Sequence, residues 1–465
     1  MASRKRSIGV IAVVAATGLG LSACGQSSGG AGGGGAVELT ITQNAIAGGK
    51  NAVSAEHIAN WVIPTFEAAQ KAKGKDVKVK FIPSGVDDEQ YKTKLSLDLK
   101  SGKGADVIDI DGIWAGEFAQ AGYIKPLAEV VGAEADNWEG WSQIPDAVQG
   151  LATYDGKKYA LPIGTDGRVL YFNRTLFQKA GLPADWQPKS WQEILDAGAK
   201  LKSSGVPVPI QINAGTAMGE ATTMQGVLPL LAGAGAEIQK DGKWTGAGQA
   251  LKDVLGLYQK IYGGSGLGDP RLQQEAKGRD KSFQQFAQGR IGILMEGDYF
   301  WRGVLNPKDG VARMPDRDQN VGYALIPAME PGKGIRGQDF VSMSGGALRT
   351  VNPNSKHPKE AFELLAFTLS AEALKQETKG GNVRVTPRGD VNKEILAGEP
   401  LLTFISEKVL PLTAYRPPVA IYPQVSVALQ EATAAVAGGA PPDQAAADYQ
   451  KKLEGIVGGA GNIAS

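Results

Sequence analysis

The sequence has few residues that could bind a metal or form a disulfide. Its 465 residues include one cysteine and two histidines, His57 and His357. A single cysteine excludes an intrachain disulfide, and two separated histidines do not indicate a zinc site. An excess of either charge is also lacking, because 49 basic residues balance 48 acidic ones. We therefore expect neither a metal nor a nucleic-acid partner.

Nucleotide-binding motifs are lacking as well. The glycine-rich strings at residues 233–235 and 263–266 do not have the strand, turn and helix spacing of a dinucleotide or phosphate loop. The sequence contains no Walker motif either. We expect no cofactor.

The apolar run near the N-terminus is too short to span a membrane. Residues 8–21 follow the basic residues Arg4, Lys5 and Arg6, whereas a spanning helix needs about 20 apolar residues. A basic segment, a short apolar segment and small residues, in this order, are typical of a secretory signal. We therefore predict export, with residues 1–23 as the signal peptide.

The only cysteine, Cys24, lies at the end of this segment in the string "LSACG". The string resembles the lipobox of bacterial lipoproteins, which implies a diacylglycerol on the cysteine sulfur and cleavage just before it. The alternative is an ordinary signal peptide with an accidental cysteine. Two or more acyl chains anchor a protein stably. We therefore predict that residues 24–36 are a lipidated cysteine and a flexible Gly/Ser tether, and that folding starts near residue 37.

Strand-like and helix-like patterns alternate along the rest of the chain, which predicts an α/β fold with a mainly parallel sheet. In the segment at 190–202, Ser190 is a helix N-cap and Glu193 completes a capping box, and Asp155-Gly156 predicts a hairpin at 153–163. The other predicted helices are 52–72, 87–100, 114–121, 220–232, 247–262, 279–288, 357–370 and two within 424–457, and the other predicted strands are 37–41, 77–81, 105–111, 169–172, 291–295, 321–327 and 340–349.

An acid and a base stand directly before an apolar strand in "TDGRVLYFN" at residues 165–173. Asp166 and Arg168 could form an exposed salt bridge of little energetic value. They could equally present a carboxylate and a guanidinium to a polyhydroxylated ligand, because both groups bond two neighbouring hydroxyls at once. Residue types alone leave both interpretations open.

Two further places combine acidic and aromatic residues at strand ends. Asp111 ends the strand at 105–111 and is followed by Trp114, and the carboxyl ends of strands in open α/β sheets face the ligand crevice. A polar residue that simply ends a strand explains Asp111 equally well. Tyr299 and Trp301 follow the strand at 291–295 and would share a side if the chain stays extended. Core packing is the usual role of such a pair, although acidic neighbours favour a mixed site.

Several segments together resemble family 1 extracellular solute-binding proteins, the maltose-binding-protein-like receptors of ATP-driven importers. The resemblance spans residues 37–457. Its carriers are "FAQGRIGILMEGDYFW" at 286–301, "VGYALIPAMEPGKG" at 321–334, and the segments 104–127, 154–182, 189–201, 344–370 and 422–439.

This resemblance implies a two-lobed type II periplasmic-binding-protein fold with discontinuous lobes, in which a hinge closes the lobes on the ligand. Crossings are expected at about 164–169, after 327 and near 395–402. Lobe one would comprise 37–163 plus 339–397, and lobe two would comprise 164–338 plus 398–465.

The resemblance also implies site residues. Asp166 matches an acidic sugar ligand beside the hinge, Tyr299 and Trp301 match aromatic positions, and Asp111 and Trp114 match positions of lobe one. Asn213 and Gln225 fall where lobe two supplies contacts. The segment at Gly345-Gly346 lacks an aromatic that often follows it, and Ala428 replaces a tryptophan, so a short saccharide fits better than a long maltodextrin.

The implied function is an ABC-importer substrate-binding lipoprotein. It would be a monomer on the outer face of the cytoplasmic membrane, would touch the membrane only through its lipid, and would deliver a carbohydrate to permease subunits whose ATPase is a separate chain. Two alternatives are a secreted glycoside hydrolase that uses Asp111 and Asp166 as its two carboxylates, and a surface sensor or adhesin on the same fold. The resemblance argues against an enzyme.

Overall fold

The computed structural model of the chain describes residues 36–49, 51–86, 88–264, 266–379 and 383–464. The predicted signal peptide and Cys24 lie outside these residues. Contacts group the chain from Val37 onward into one unit. Within the described residues, every helix is too short or too polar to cross a membrane.

Most strands are short and lie where alternating or continuous apolar patterns predict them. They are β1 (Val37–Gln43), β2 (Val77–Pro83), β3 (Val107–Asp111), β4 (Thr153–Tyr154), β5 (Lys157–Lys158), β6 (Leu161–Pro162), β7 (Arg168–Asn173), β8 (Val208–Gln211), β9 (Gln239–Lys240), β10 (Lys243–Thr245), β11 (Ile291–Gly297), β12 (Val321–Ala324), β13 (Ile326–Pro327), β14 (Phe340–Ser344), β15 (Ala347–Val351), β16 (Thr413–Tyr415) and β17 (Ile463–Ala464).

The helices cover all the predicted helical segments and several shorter ones. They are α1 (Ala52–His57), α2 (Ile63–Ala72), α3 (Asp88–Lys100), α4 (Ala115–Gln120), α5 (Leu127–Val130), α6 (Ala133–Asp136), α7 (Asp146–Gln149), α8 (Arg174–Lys179), α9 (Trp191–Ser203), α10 (Glu220–Thr222), α11 (Leu228–Gly233), α12 (Gln249–Tyr262), α13 (Gly278–Ala287), α14 (Arg317–Asn320), α15 (Pro358–Thr368), α16 (Ala371–Lys379), α17 (Gly389–Ile395), α18 (Pro400–Phe404), α19 (Tyr422–Ala437) and α20 (Pro442–Val457). π-helical turns at Ile58–Val62 and Thr223–Val227 join α1 to α2 and α10 to α11.

Local signals place two of these elements as predicted. Ser190 accepts a hydrogen bond from the amide of Glu193 at 3.3 Å and so caps α9. The Glu193 carboxylate bonds the amide of Lys189 at 2.8 Å instead of the amide of Ser190, so the expected capping box is shifted by one residue. Asp155 and Gly156 have φ of 48° and 70° and join the antiparallel strands β4 and β5, which confirms the hairpin.

Two separate sheets form the centres of two lobes. The first has the order β2-β1-β3-β15-β6, and the second has the order β12-β7-β11-β8. The strands of each sheet run in one direction except for one, so the predicted mainly parallel arrangement holds apart from β15 and β7. β15 runs antiparallel to β3 and β6, and β7 runs antiparallel to β11 and β12. These strands do not follow a simple strand-helix-strand crossover, which is the connection that makes neighbours parallel.

A third, smaller sheet of β13, β14 and β16 lies beside the crossing between the two larger ones. The sequence predicts one strand over 340–349, but the structure has two strands that end and begin around Gly345 and Gly346. β14 pairs with β13 and β16, whereas β15 belongs to the first large sheet. A Cβ on Gly346 would lie 2.4 Å from the carbonyl oxygen of Gly164, so only glycine allows the two chain segments to pass this closely.

The first lobe contains two ion pairs in its interior. Arg349 on β15 bonds both carboxylate oxygens of Asp109 on β3, and both side chains are almost fully buried. Burial raises the pKa of Asp109, and Arg349 counteracts part of this effect. Glu377 on α16 pairs with Arg384 at 3.0 Å. Burial raises the pKa of Glu377, but Arg384 and His57 outweigh it and hold the pKa below its ordinary value.

Candidate functional site

Asp166 lies at the point where the chain passes from the first large sheet to the second. It stands between β6 and β7, and its side chain is 32% exposed. The amide of Gly345 donates a hydrogen bond to Asp166 Oδ1 at 2.6 Å, and the Ser344 hydroxyl donates to the Asp166 carbonyl. The end of β14 therefore fixes the Asp166 carboxylate beside the crossing while leaving part of it open to solvent.

Arg168, the first residue of β7, holds Asp166 from the protein side. Its guanidinium bonds Asp166 Oδ1, Gln225 Oε1 at 2.7 Å and the carbonyl of Met343 at 3.2 Å. Only 7% of the Arg168 side chain is exposed. Of the pair, Asp166 is thus the group presented to solvent and Arg168 is the group that positions it.

Asp111 ends β3 and faces the same crossing. Its neighbour Gly112 donates an amide hydrogen bond to the carbonyl of Gly346 at 2.9 Å, which places Asp111 close to the Gly345-Gly346 segment that holds Asp166. Asp111 Oδ1 also accepts from the amide of Ile113. Burial raises the pKa of Asp111, and the guanidinium of Arg416 counteracts this rise.

Arg416 and Glu220 belong to this site and were not predicted from the sequence. Arg416 follows β16, and its guanidinium lies 3.0 Å from Glu220 Oε1 and 3.9 Å from Asp111 Oδ1. Glu220 begins α10 and also accepts from the hydroxyls of Tyr422 and Ser426 on α19. No local pattern marks either residue, because each becomes part of the site only through partners that are distant in sequence.

Asn213 and Gln225 are both buried on the second lobe. Gln225 contacts the site through Arg168. Asn213 bonds Glu296 at 3.0 Å, and Glu296 in turn makes a two-bond ion pair with Arg279. The structure therefore connects Gln225 directly to the Asp166 cluster and places Asn213 in a neighbouring polar layer.

The three aromatic residues predicted after β3 and β11 differ in exposure. The ring of Trp114 is buried between Tyr91 and Phe118. The chain turns helical at Asp298, so Tyr299 and Trp301 do not alternate as in a strand. Tyr299 is about half exposed. A stacking role for Trp114 or Trp301 stays a prediction, and Tyr299 is the most open ring of the three.

Trp301 packs inside the protein. The guanidinium of Arg317 lies 4.1 Å from its ring centre, and the ring of Tyr323 meets it at 88°. Trp301 also borders a cavity of about 730 Å³ that is lined by Arg302, Asn306, Lys308 and other polar residues. These contacts give Trp301 a structural role whatever else it does.

Asp298 extends the cluster below Asp166. Its amide bonds the carbonyl of Gly167 at 3.0 Å, and its Oδ2 pairs with Arg302 at 3.0 Å. Within the described residues Asp298 Oδ1 is buried and has no hydrogen-bond partner. Burial raises the pKa of Asp298, and the nearby Asp166 adds to the rise while Arg302 opposes it.

The assembled site is a set of carboxylates held by buried guanidiniums where the two lobes meet. Such carboxylates accept hydrogen bonds from hydroxyl groups, and they are fixed before a ligand arrives. Within the described residues no group of three or more acidic, cysteine or histidine side chains could hold a metal ion.

Comparisons with known proteins identify the family and the fold of the chain. The family model of the bacterial extracellular solute-binding protein matches residues 55–375. A putative binding protein of Brucella abortus is 27% identical over 335 residues, which are 71% of this chain and 74% of that protein. A probable amino-acid ABC transporter periplasmic-binding protein of Sinorhizobium fredii is 26% identical over 377 residues, 80% of each chain.

Solved structures share the fold over most of the chain. An ABC transporter solute-binding protein of Thermotoga lettingae, bound with α-D-tagatose, has a TM-score of 0.65 and 26% identity and covers 91% of this chain and 100% of its own. The sugar-binding protein MalE of Xanthomonas citri has a TM-score of 0.72 and 18% identity, and the match covers 91% of this chain and 98% of MalE. At this identity the similarity shows only that the two proteins share a fold. The matched family and structures are binding proteins, and the chain belongs to the bacterial extracellular solute-binding protein family.

Proposed function

We propose that this chain is the substrate-binding component of an ABC importer and that it binds a mono- or short oligosaccharide between its lobes. The observation that carries the proposal is the Asp166 carboxylate, which Arg168 and the Gly345 amide hold in place at the lobe crossing while a third of it stays exposed. The similarity to the tagatose-bound structure supports a carbohydrate.

Ligand binding would shift the protein towards a closed state, because a saccharide that touches both lobes makes more contacts when they are together. Asp111 from the first sheet and Asp166 from the crossing would meet hydroxyls, and Tyr299 would stack on the apolar face of the ring. The closed form would deliver the ligand to permease subunits, with the ATPase on a separate chain.

We also propose that the protein is exported and held on the outer face of the cytoplasmic membrane by a lipid on Cys24. The lipobox-like string "LSACG" supports this. Cys24→Ser should abolish incorporation of labelled fatty acid and release the protein from the membrane fraction. Labelling that persists in this variant would contradict a lipid anchor at Cys24.

The test of ligand binding is a thermal-shift screen of the chain from Gly25 onward, because a ligand that binds only the folded state raises the melting temperature. The probes are saccharides and polyols, with amino acids and sn-glycerol 3-phosphate as competing classes. A saccharide should give the largest shift, and Asp166→Ala should weaken its binding at least tenfold, or about 1.4 kcal/mol.

A shift with amino acids alone would contradict the carbohydrate assignment. Chromatography of the saccharide after incubation separates binding from catalysis. Recovery of the unchanged sugar is expected, whereas turnover that is lost in Asp166→Ala would establish a glycoside hydrolase instead.

A further inference from the structure

Resting on the proposed function, we infer that the site selects a saccharide or polyol without negative charge, neutral or carrying an amino group, and rejects phosphorylated and uronic sugars. The inference depends on which polar atoms at the lobe crossing are available to a ligand and which are already used by the protein. The acceptor side chains of Asp111, Asp166 and Glu220 are partly open to solvent, whereas the donor side chains of Arg168 and Arg416 are largely buried.

The acceptors are the accessible groups. The side chains of Asp111, Glu220 and Asp166 are 47%, 36% and 32% exposed. Carboxylates can only accept hydrogen bonds when ionised, so they favour a ligand with several donors.

The donors with positive charge are already engaged. Arg168 pairs with Asp166, and Arg416 pairs with Glu220 and faces Asp111. Their side chains are only 7% and 14% exposed. An anionic ligand is normally held by guanidinium groups that are free to bond it on two atoms, and it would have to break these pairs first.

In the two neighbouring ion pairs the exposure is reversed, because the Arg302 and Arg279 side chains are 28% and 30% exposed while their carboxylates are buried. Arg302 is paired with Asp298, and Arg279 with Glu296. Both groups in each of these pairs are engaged with each other. At the lobe crossing itself, Arg168 and Arg416 face the three carboxylates of Asp166, Asp111 and Glu220, so the surplus negative charge lies on the accessible side. A phosphate or carboxylate on the ligand would approach like charges, which opposes binding.

The proposed test compares matched probes by calorimetry on the chain from Gly25 onward. The neutral probes are glucose, galactose, mannose and maltose. Glucosamine and galactosamine carry an added ammonium group, and glucuronate, galacturonate and glucose 6-phosphate carry an added negative charge. The neutral or amino member of a series should bind at least tenfold more tightly than its anionic member, and the ratio should shrink as salt is added.

Variants separate charge from shape. Glu220→Gln should reduce the discrimination against the anionic probe at least threefold. Glu431→Gln should leave it unchanged, because Glu431 pairs with Lys452 on the surface of α19. Asp111→Asn provides the same test at an exposed position if Glu220→Gln disturbs folding.

The two possible failures can be told apart. If an anionic derivative binds more tightly than its neutral parent, the charge inference is wrong and a saccharide receptor remains. If none of the probes binds, the proposed function is contradicted, and the inference about ligand charge is contradicted as well.

Discussion

The ion pair of Asp166 and Arg168 gives the sharpest prediction about how the site works. We expect Arg168 to act on the ligand only through Asp166. Arg168→Met removes the guanidinium while keeping a long side chain in a buried position. Among the described residues it leaves the Asp166 carboxylate with the Gly345 amide as its donor, so the carboxylate loses one of the two groups that orient it there.

The size of the effect follows from the lost hydrogen bond. A hydrogen bond to a charged group contributes about 1.5–3 kcal/mol, and the partial exposure of Asp166 reduces this to about 1–2 kcal/mol. Saccharide affinity should therefore fall by a factor of about 5–30. Asp166→Asn should cost at least as much, because it removes the charge that the hydroxyls meet.

A double-mutant cycle measured by calorimetry distinguishes positioning from direct contact. If Arg168 only positions Asp166, Arg168→Met should have almost no further effect on affinity in the Asp166→Asn background, and the coupling energy should be about 1–2 kcal/mol. Effects that simply add would show that Arg168 contacts the ligand itself. Unchanged affinity in Arg168→Met beside a tenfold loss in Asp166→Asn would refute the positioning role.

The chain offers a matched control with the same spacing. Asp269 and Arg271 also form an ion pair two residues apart, but the Arg271 side chain is 83% exposed. Surface pairs of this kind contribute little. Arg271→Met should therefore leave both saccharide affinity and thermal stability close to those of the unchanged protein.

The remaining predictions concern stability as well as binding. Tyr299→Ala should weaken saccharide binding by about 1 kcal/mol and change the free energy of unfolding little. Trp301→Ala should instead lower the free energy of unfolding by about 3–5 kcal/mol. Equal effects of the two variants on unfolding would contradict a ligand-binding role for Tyr299 beside a packing role for Trp301. Arg349→Met should lower the free energy of unfolding by about 3–5 kcal/mol, because the Asp109 carboxylate stays buried without its partner. Adding Asp109→Asn should recover most of this loss. A loss below about 1 kcal/mol would show that the Asp109 charge does not depend on Arg349. The pKa of Glu377 lies below its ordinary value of 4.5, so the ionised Glu377 side chain contributes its full stability above that pH, and the contribution is lost as the pH falls through the lowered folded-state pKa. The Glu377→Gln variant should therefore lose less stability than the unchanged protein between about pH 5 and pH 3. Parallel acid-denaturation curves of the two proteins would contradict this.

The elements that the sequence predicts well are those with local causes. Ser190 caps α9 through an amide only three residues away, and Asp155-Gly156 forms its turn with two left-handed residues in a row. The apolar run 169–172 lies in β7, which is buried along its whole length. Each of these features depends on neighbours within one or two turns of the chain, so the pattern of residues is enough to place it.

The site depends on contacts that no local pattern contains. Arg416 and Glu220 are 196 positions apart. They meet because β16, just before Arg416, pairs with β14, and α19, just after it, packs against α10. The aromatic candidates show the same limit. Trp114 and Tyr299 both follow strands, yet one ring is buried by Tyr91 and Phe118 while the other is about half exposed. Which face of the chain is covered is decided by segments far away.

The strand expected over 340–349 failed for a reason that also explains the position of the site. Both halves have strand-like residues, but Gly345 and Gly346 let the chain leave β14 and enter a different sheet as β15. At this break the Gly345 amide is free to bond Asp166, and Gly346 passes against Gly164 with no room for a side chain. A continuous strand would have used these amides in its own ladder. The interruption therefore supplies the backbone donor that orients the carboxylate at the lobe crossing.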